Sequence, residues 1–380
     1  MKRRIFAKEH DLFRKSFYNY LKDKVIPNYQ DWEDARLVPR EAWLAAGREG
    51  FLCPAVGEEY GGPGGDFLYS AIITEEISKA GLQGLFWWLH SDIVAPYIEK
   101  FASADLKQKW LPRCVTGETI LAVAMTEPEA GSDLAKLSTS AVREGDNYVV
   151  NGSKMFISNG QLADLFVVAV RTAETKRPSD GVSLLLIESN RKGFKRGRAL
   201  EKIGLHAQDT SEIFFDNVKV PVENLLGNEG EGFKYLMQKL QQERLLVAIS
   251  AVGAATGAFA LTVDYVKKRR AFGQTIGQFQ NTRFVMAELA TEIQVAQSFI
   301  DDLIPRHMAS EDVTTEVGMA KLFASEMQFK VADNCLQFFG GYGYMKEFPI
   351  SRHFVDARVQ RIYGGANEIM KELIARKLKM

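Results

Sequence analysis

The sequence predicts an α+β protein made of a helical part, a β part and a second helical part. Apolar residues recur at three- and four-residue spacings from Glu9 to about Arg113, and again from Gly230 to the end, as in amphipathic helices. Between about Thr119 and Val220 the pattern changes to short runs rich in β-branched residues. A chain of 380 residues is long for one hydrophobic core and fits two or three domains. The changes of pattern divide it into three, which we predict to be 1–118, 119–229 and 230–380.

The first part begins with a helix and is interrupted by glycines. The helix has a recurring set of apolar side chains before Pro27, namely Phe13, Phe17, Tyr20, Leu21 and Val25. The segment EEYGGPGGDF, from Glu58 to Phe67, then breaks the helical pattern. It is more typical of a surface loop than of a phosphate cradle, because no strand and no Lys-Ser/Thr pair accompany it.

The segment LQGLFWWLHSD leaves two alternatives open for an apolar pocket. Gly81, just before this segment, and Gly84, within it, would leave room for a long ligand tail, whereas Trp87 and Trp88 would close such a pocket. The sequence does not choose between them. His90 is expected to be a hydrogen-bonded core residue rather than a catalytic one.

The middle part predicts an antiparallel β domain. Its strand-like runs are separated by Gly, Asn, Asp and Pro, and they read TILAVAM, NYVVNG, LFVVAV, GVSLLLI and SEIFFDNVKV. Two segments carry groups suited to a flat heterocycle or a phosphate. AMTEPEAGSDL offers Thr126, Ser132 and free backbone N–H groups, and KMFISNG offers Phe156 and Ser158. The alternative for both is an ordinary turn and an ordinary strand end.

The helix that follows NEGEGF places a carboxylate on its apolar face. Leu236, Leu240, Glu243 and Val247 are spaced by four, three and four residues and therefore share one face. Burial there would raise the pKa of Glu243 and make it a base able to take a weakly acidic C–H proton. The alternative is a glutamate at the edge of the stripe, paired with Arg244 or a neighbouring helix.

Basic residues and glycines mark the ends of later helices. The cluster from Lys267 to Arg270 complements the dipole of a helix C-terminus or, alternatively, contacts a pyrophosphate. LQFFGGYGYMKEFP, from Leu336 to Pro349, indicates a helix C-cap. In RIYGGANEIM two adjacent glycines interrupt a helical pattern. Gly costs about 1 kcal/mol relative to Ala inside a helix, so the pair marks a helix break or a close approach to a ligand.

Composition and charge narrow the class of protein. With 46% hydrophobic and 25% charged residues, the chain is typical of a soluble globular protein. Lys+Arg and Asp+Glu both number 48, which gives no electrostatic case for a nucleic-acid partner. Cys53, Cys114 and Cys335 lack CxxC spacing, which predicts core thiols in a reducing compartment and no metal site. The chain has no uninterrupted run of 18 apolar residues and no secretory signal pattern, so we expect no transmembrane segment.

Five segments taken together resemble one known family. They occur in order over nearly the whole chain and read AMTEPEAGSD, NGSKMFISNG, RRAFGQTIGQFQ, LQFFGGYGY and DARVQRIYGGANEIMKELIARKL. The set is similar to the acyl-CoA dehydrogenase family, and LQQERLL with ARVQRIYGGANEIMKELIAR is most like its long-chain branch. The resemblance implies an N-terminal helical domain, a middle antiparallel β-barrel domain, a C-terminal four-helix bundle, bound FAD and a homotetramer.

The resemblance also implies a catalytic base, and here the sequence departs from the usual pattern. In the family a glutamate removes the α proton of an acyl-CoA thioester while the β hydride passes to the flavin, giving a trans-2-enoyl-CoA. Most members carry that glutamate after the Tyr of a Tyr-Glu-Gly loop, where this chain has Gly364. Long-chain and isovaleryl-type members carry it at the position of Glu243. The resemblance thus implies Glu243 as the base, Arg244 as its electrostatic partner and the Gly364 N–H as a donor to the thioester carbonyl.

Further contacts follow from the same motif positions. The residues implied for FAD are Val123, Met125, Thr126, Gly131, Ser132, Phe156, Ile157, Ser158, Arg269, Phe272, Gln280, Gln337, Gly340, Gly341, Ala366 and Glu368. Those implied for the substrate are Ser132, Gln241, Arg244, Gly364 and Gly365. Ala366 stands where the family usually has Thr, which removes a hydroxyl contact to FAD.

Three functions are compatible with these residues. The first is FAD-dependent dehydrogenation of medium-to-long-chain acyl-CoA in fatty-acid β-oxidation, with electrons passed to electron transfer flavoprotein. The second is a branched-chain, isovaleryl-like, or secondary-metabolite acyl-CoA dehydrogenase or oxidase. The third is a non-catalytic flavin-binding structural protein, which Glu243 and Arg244 disfavour. The expected location is the bacterial cytoplasm, or the mitochondrial matrix for a processed form.

Overall fold

A computed structural model describes residues 3–380 and confirms the order helical, β, helical. The helices are α1 (Lys8–Tyr20), α2 (Tyr29–Ala35), α3 (Arg40–Arg48), α4 (Phe67–Lys79), α5 (Ala95–Phe101), α6 (Ala104–Val115), α7 (Gly232–Lys268), α8 (Gln280–Met308), α9 (Thr314–Phe339), α10 (Pro349–Ala357) and α11 (Asn367–Lys377). The strands are β1 (Leu121–Ala124), β2 (Ser140–Glu144), β3 (Asn147–Ser158), β4 (Leu165–Arg171), β5 (Val182–Glu188), β6 (Phe194–Ala199), β7 (Thr210–Pro221), β8 (Arg270–Ala271) and β9 (Gln274–Thr275).

The first helical part packs around aromatic side chains. α1 buries Phe17, and a π-helical turn, Leu21–Val25, continues it. The Phe17 ring meets Phe51 edge to face, with 4.8 Å between the ring centroids. α4 begins where the Asp66 side chain accepts a hydrogen bond from the Leu68 N–H. The glycine-rich segment before α4 is the loop that the sequence predicts.

The middle β domain is confirmed, but its strands are not all antiparallel. Seven strands form one sheet in the order β1-β4-β2-β3-β7-β6, and β5 also pairs with β4. β3 pairs with β7 in antiparallel fashion, whereas β1 pairs with β4 in parallel, with Leu121 opposite Leu165. The parallel pair is possible because β2 and β3 intervene and supply the crossover that it needs. β2 and β6 were not among the predicted runs, because SAVRE and FKRGRA are short and largely polar.

α7 is the central helix of the second helical part. It is 37 residues long and packs against α4, α8 and α9. Two glycines let α4 approach closely, because a Cβ on Gly253 would lie 2.8 Å from the Glu75 carbonyl oxygen. A Cβ on Gly257 would lie 2.0 Å from that of Lys79. This close crossing holds α7, the helix that carries Glu243 nearer its N-terminal end, against the first helical part.

Among the described residues, α7 also meets the length and composition expected of a membrane-crossing helix. In its most apolar 18-residue window, 72% of the residues are buried inside the protein. The window contains a few polar residues, so the criterion of 18 consecutive apolar residues did not detect it in the sequence. Packing inside the helical part accounts for the apolar composition of α7.

Candidate active site

The carboxylate predicted on α7 faces the pair of glycines. The segment 362–366, which we call the glycine loop, joins the helical turn after α10 to α11. Gly364 and Gly365 have φ values of 64° and 91°, in the region that favours glycine. A Cβ on Gly364 would lie 3.8 Å from Oε1 of Glu243 and 3.3 Å from Cγ2 of Val247. The predicted helix break is confirmed, and it lies beside the carboxylate of Glu243.

One carboxylate oxygen of Glu243, Oε2, is buried without a hydrogen-bond partner among the described residues. Burial raises the pKa of Glu243 to about 7, and the positive charges of Arg244 and Lys321 oppose this rise only in part. A carboxylate with a pKa near neutral is suited to accept a proton at physiological pH.

Two buried cations hold the carbonyl groups of the glycine loop. Arg244 Nε donates to the Gly364 carbonyl oxygen at 3.2 Å. Lys321 Nζ donates to the Gly365 carbonyl oxygen and to Asn367 Oδ1, both at 2.8 Å. The guanidinium of Arg244 therefore bonds the loop backbone and does not form the ion pair with Glu243 that was the alternative.

Lys321 is a functional candidate that the sequence analysis missed. It is fully buried on α9, on the same helical face as the buried residues Val317 and Gln328. Burial, with Arg244 close by, lowers the pKa of Lys321 to about 8. A lysine on an apolar helical face is the same signal that singled out Glu243 on α7, so the pattern could have found it.

Aromatic side chains stand beside the glycine loop. The ring of Tyr363, which precedes Gly364, lies 6.1 Å from that of Phe86 and 6.4 Å from that of Trp88. Tyr97 is fully buried, and its hydroxyl has no hydrogen-bond partner within residues 3–380. Burial, followed by the charge of Glu243, raises the pKa of Tyr97. These rings make an apolar wall next to the carboxylate.

Gly81 and Gly84, before and within LQGLFWWLHSD, do not open a pocket. A Cβ on Gly84 would lie 2.8 Å from Tyr29 Oη, and one on Gly81 would lie 3.0 Å from Nε2 of His353. The interpretation that these glycines leave room for a tail is therefore wrong, because protein side chains fill the space. Trp88 is buried, as the closed alternative requires.

His90 and the cysteines are core residues, as predicted. His90 Nδ1 accepts a hydrogen bond from the Leu121 N–H at 3.1 Å, and its Nε2 lies 3.0 Å from the Cys114 carbonyl oxygen. Cys53, Cys114 and Cys335 are all buried and free. Cys53, His90 and Cys114 support the packing between the first two parts, and Cys335 lies in the core of the second helical part.

A buried ion pair supports the turn after β1. Lys154 Nζ, on β3, lies 2.8 Å from Glu127 Oε1 and donates to the Met125 carbonyl oxygen at 3.1 Å. Burial alone would raise the pKa of Glu127, but Lys154 and hydrogen bonds from Ser138 and Thr139 lower it to about 2. The hydroxyl and backbone N–H groups of this segment were expected from the sequence, whereas the ion pair that fixes the turn was not.

The residues expected to contact FAD form two groups. One lies on β1, the turn after it and β3, and comprises Val123, Met125, Thr126, Gly131, Ser132, Phe156, Ile157 and Ser158. The other lies where α7 and α9 end and α8 begins, and comprises Arg269, Phe272, Gln280, Gln337, Gly340 and Gly341. The Met155 N–H donates to the Thr126 carbonyl oxygen at 2.9 Å, which joins the turn to β3 in the first group.

Both groups have features that fit a flat ring joined to a pyrophosphate. Phe156 is 63% exposed at the bulged end of β3 and has a φ of 60°, an unusual combination for a large apolar residue. No atom lies within 4 Å of a Cβ placed on Gly131, Gly340 or Gly341. Arg269, a member of the second group, is exposed, and its guanidinium is a suitable partner for phosphate.

Three predicted residues lie away from the glycine pair or at its edge. The Gln241 side chain bonds the α8–α9 connection, donating to the Glu311 carbonyl oxygen and accepting from the Val313 N–H, each at 3.1 Å. Ala366 precedes α11, and Glu368 is exposed in its first turn. The structure thus brings Glu243, Arg244, Gly364 and Gly365 together and places Gln241 on another face of α7.

Three family models match this chain. They describe the N-terminal, middle and C-terminal domains of acyl-CoA dehydrogenases and match residues 7–118, 122–218 and 230–379.

Named relatives and solved structures match over nearly their full length. The mitochondrial long-chain specific acyl-CoA dehydrogenase of Sus scrofa is 48% identical over 99% of this chain and 88% of its own. A short-chain specific acyl-CoA dehydrogenase of Clostridium acetobutylicum is 36% identical, with 98% of each chain covered. A crystal structure of acyl-CoA dehydrogenase from Geobacillus kaustophilus is 52% identical, covers 100% of both chains and superposes with a TM-score of 0.97.

Proposed function

The chain belongs to the acyl-CoA dehydrogenase family, and from that premise we propose that Glu243 removes the α proton of an acyl-CoA thioester. One observation carries the proposal: a buried carboxylate with a free oxygen faces the positive-φ glycine loop. The position of Gly364 has no acid, so the base must come from another element. Glu243 supplies it from α7, and its pKa near 7 keeps it able to accept the proton.

We assign the glycine loop to the thioester carbonyl. Arg244 and Lys321 hold the carbonyl oxygens of Gly364 and Gly365. The Gly364 N–H has no backbone hydrogen-bond partner within residues 3–380, so it is left to donate to the thioester oxygen. That bond strengthens as negative charge develops on the oxygen during removal of the α proton. We assign Gly365 to the same contact with the thioester part of the substrate.

FAD is the cofactor of this family's enzymes, and the residues present here fit it. When bound, FAD supplies the hydride acceptor for the β carbon. We propose that the first group, around Thr126 and Phe156, lines the flavin. The second group, around Arg269, Gly340 and Gly341, receives the pyrophosphate and adenosine, with Ala366 and Glu368 at the margin of the site.

For the substrate we propose a medium-to-long straight acyl chain used in fatty-acid β-oxidation. The support is the 48% identity to the long-chain specific enzyme of Sus scrofa. Ser132 and Gln241 are proposed to contact the CoA portion. Gln241 lies in a cleft of about 710 Å³ that Lys100 and Lys239 also line, and cations there suit the CoA phosphates. An isovaleryl-like substrate is the alternative, because the same base position serves that branch.

We further propose that electron transfer flavoprotein accepts the electrons and that the protein is a homotetramer. Exposed apolar side chains near the second FAD group support an assembly, since Phe272 is 95% and Tyr344 is 84% exposed. The matched relatives include a mitochondrial and a bacterial enzyme. The bacterial cytoplasm and the mitochondrial matrix therefore both stay as proposed locations.

The role of Glu243 is tested by Glu243→Gln. We expect the variant to bind FAD as the wild type does and to lose turnover of saturated acyl-CoA by at least about 1000-fold, because an amide cannot accept the proton. In the wild type, kcat/KM should rise as the pH passes through about 7, where Glu243 ionises. Glu223→Gln, at an exposed glutamate before α7, is the matched control and should keep full activity. Turnover that persists in Glu243→Gln would rule out Glu243 as the base.

A chain-length series from butyryl-CoA to palmitoyl-CoA, with isovaleryl-CoA included, measures the substrate preference. A maximum with isovaleryl-CoA would replace the straight-chain proposal by the branched-chain one. Comparison of oxygen with an artificial electron acceptor separates an oxidase from a dehydrogenase.

A further inference from the structure

We infer that Lys321 is a positioning residue for the proposed reaction: its ammonium group fixes the glycine loop and sets a buried positive charge beside the base. This inference rests on the proposed roles of Glu243 and the glycine loop. Lys321 belongs to none of the motifs that identified the site. It lies on α9, far in sequence from both α7 and the loop.

The first observation is how the ammonium group is used. A lysine ammonium has three N–H donors, and two of them reach the loop region, at the Gly365 carbonyl oxygen and at Asn367 Oδ1. Asn367 is itself anchored to α9, because its Nδ2 donates to Ser325 Oγ and Glu326 Oε1, each at 3.0 Å. Lys321 therefore joins the second glycine of the loop and the first residue of α11 to one rigid helix.

The second observation is that the two glycines have separate restraints. Arg244 bonds the Gly364 carbonyl from α7, and Lys321 bonds the Gly365 carbonyl from α9. Adjacent glycines with positive φ have many other backbone conformations open to them. If the Gly365 carbonyl were released, the peptide planes of the loop could rotate. The Gly364 N–H would then no longer point where the thioester oxygen must lie.

The third observation concerns charge. The ionisable groups that face Lys321 are Arg244 and Glu243 from α7, Glu326 from α9 and Glu368 from α11. Those that face Glu243 are Arg244, Lys321, Tyr97 from α5 and Tyr363 from the loop. A cation near a carboxyl group favours its ionised form, so loss of the Lys321 charge would raise the pKa of Glu243. The base would then be ionised only at higher pH.

The test compares Lys321→Met and Lys321→Arg in the FAD-loaded enzyme. Lys321→Met should lower kcat by about 10- to 100-fold and move the acid limb of the kcat/KM profile upward by about 0.5 to 1 pH unit. Lys321→Arg keeps the charge, so its acid limb should stay in place while kcat falls because the two hydrogen bonds are mismatched. Lys330→Met, on the exposed face of the same helix, is the matched control and should change neither quantity.

A second measurement does not depend on oxidation. Phenylacetyl-CoA has α hydrogens but no β hydrogen, so in D2O it reports only whether the base exchanges the α hydrogen for deuterium. Mass spectrometry should show exchange by the wild type and slower exchange by Lys321→Met, with the same upward shift in pH dependence. FAD content and Tm are recorded for each variant.

The outcomes separate this inference from the proposed function. Exchange without oxidation of any saturated acyl-CoA would contradict the proposed dehydrogenase reaction alone. A Lys321→Met enzyme with lower Tm or FAD content, but with unchanged pH profiles per bound FAD, would show a merely structural lysine and overturn the inference. If Lys321→Met does not fold, a Lys321→Arg enzyme with wild-type kcat and exchange rate would overturn it equally. A wild type that neither exchanges nor oxidises would contradict both proposals.

Discussion

At the scale of single residues, the loop needs a residue without a side chain at position 364. A side chain there would take the space between Val247 and Glu243, where its Cβ would lie 3.3 Å from one and 3.8 Å from the other. A φ of 64° adds backbone strain for any L-residue with a Cβ. The glycine therefore serves both the conformation of the loop and access to the carboxylate.

Gly364→Ala should separate these contributions. We expect kcat to fall by about 10-fold or more because the loop must shift away from Val247, and Tm to fall slightly through strain of about 1 to 2 kcal/mol. Gly145→Ala is the matched control, since Gly145 has a φ of 59° in the β2–β3 turn and open space around its Cβ position. The control should lose similar stability and keep its activity. Equal activity in both variants would contradict the proposed role of the loop.

Residue patterns in the sequence found some of this site and missed other parts. Glu243 was found because a carboxylate on an apolar helical stripe conflicts with its surroundings, and such conflicts often mark function. Lys321 is marked by the same conflict but matches no motif. Its partners, Gly365 and Asn367, lie beyond the end of its helix, so only the folded arrangement connects them.

At the scale of elements, the turn after β1 depends on the ion pair Glu127–Lys154. Both side chains are nearly inaccessible, at 2% and 0% exposure. Burial lowers the pKa of Lys154 to about 8 even though Glu127 lies beside it, so the pair is held at a cost. The pair joins β3 to the turn that carries Thr126 and Ser132.

Glu127→Gln should therefore be strongly destabilising. We expect a loss of roughly 3 kcal/mol or more in the free energy of unfolding, because the charge of Lys154 stays buried without its partner. FAD content should fall with it, measured as the ratio of flavin to protein absorbance. The double variant Glu127→Gln/Lys154→Met should regain part of the stability. Lys195→Met, in an exposed pair with Asp216, should cost about 1 kcal/mol or less and serves as the control. A neutral Glu127→Gln would contradict this account.

The elements themselves were largely predictable, and the exceptions have physical causes. Helix periodicity and β-branched runs located the long helices and five of the strands. The polar strand β6 was missed because its side chains are mostly exposed, so the burial that creates a pattern is absent. The parallel β1–β4 pair depends on how separate segments assemble, which local periodicity does not report.

At the scale of the whole molecule, the N-terminal segment ties the first helical part to the last. Arg3 Nη2 lies 2.6 Å from Asp301 on α8, and the same guanidinium contacts Glu75 on α4. Arg14 Nη1 lies 2.5 Å from Glu76. α4 also crosses α7, the helix that carries Glu243, closely at Gly253 and Gly257, so the first helical part packs directly on that helix.

The proposed homotetramer gives a prediction at this scale. Phe272→Ser removes the most exposed aromatic ring near the second FAD group and should shift the protein toward smaller species, with a lower FAD content. Sedimentation velocity measures the mass. Leu12→Ser, at a 62% exposed apolar residue on α1, is the control and should leave the mass unchanged. A wild type that sediments as a monomer would contradict the proposal directly.

The apolar composition of α7 also has a consequence for biosynthesis. During translation this helix leaves the ribosome before α8 and α9 exist, although α9 is one of the elements that cover it. The emerging chain therefore presents a long apolar segment before α8, α9 and α10, which cover much of it in the folded protein, have been made. We expect chains truncated before Thr314 to aggregate or to be retained by chaperones, while the complete chain folds.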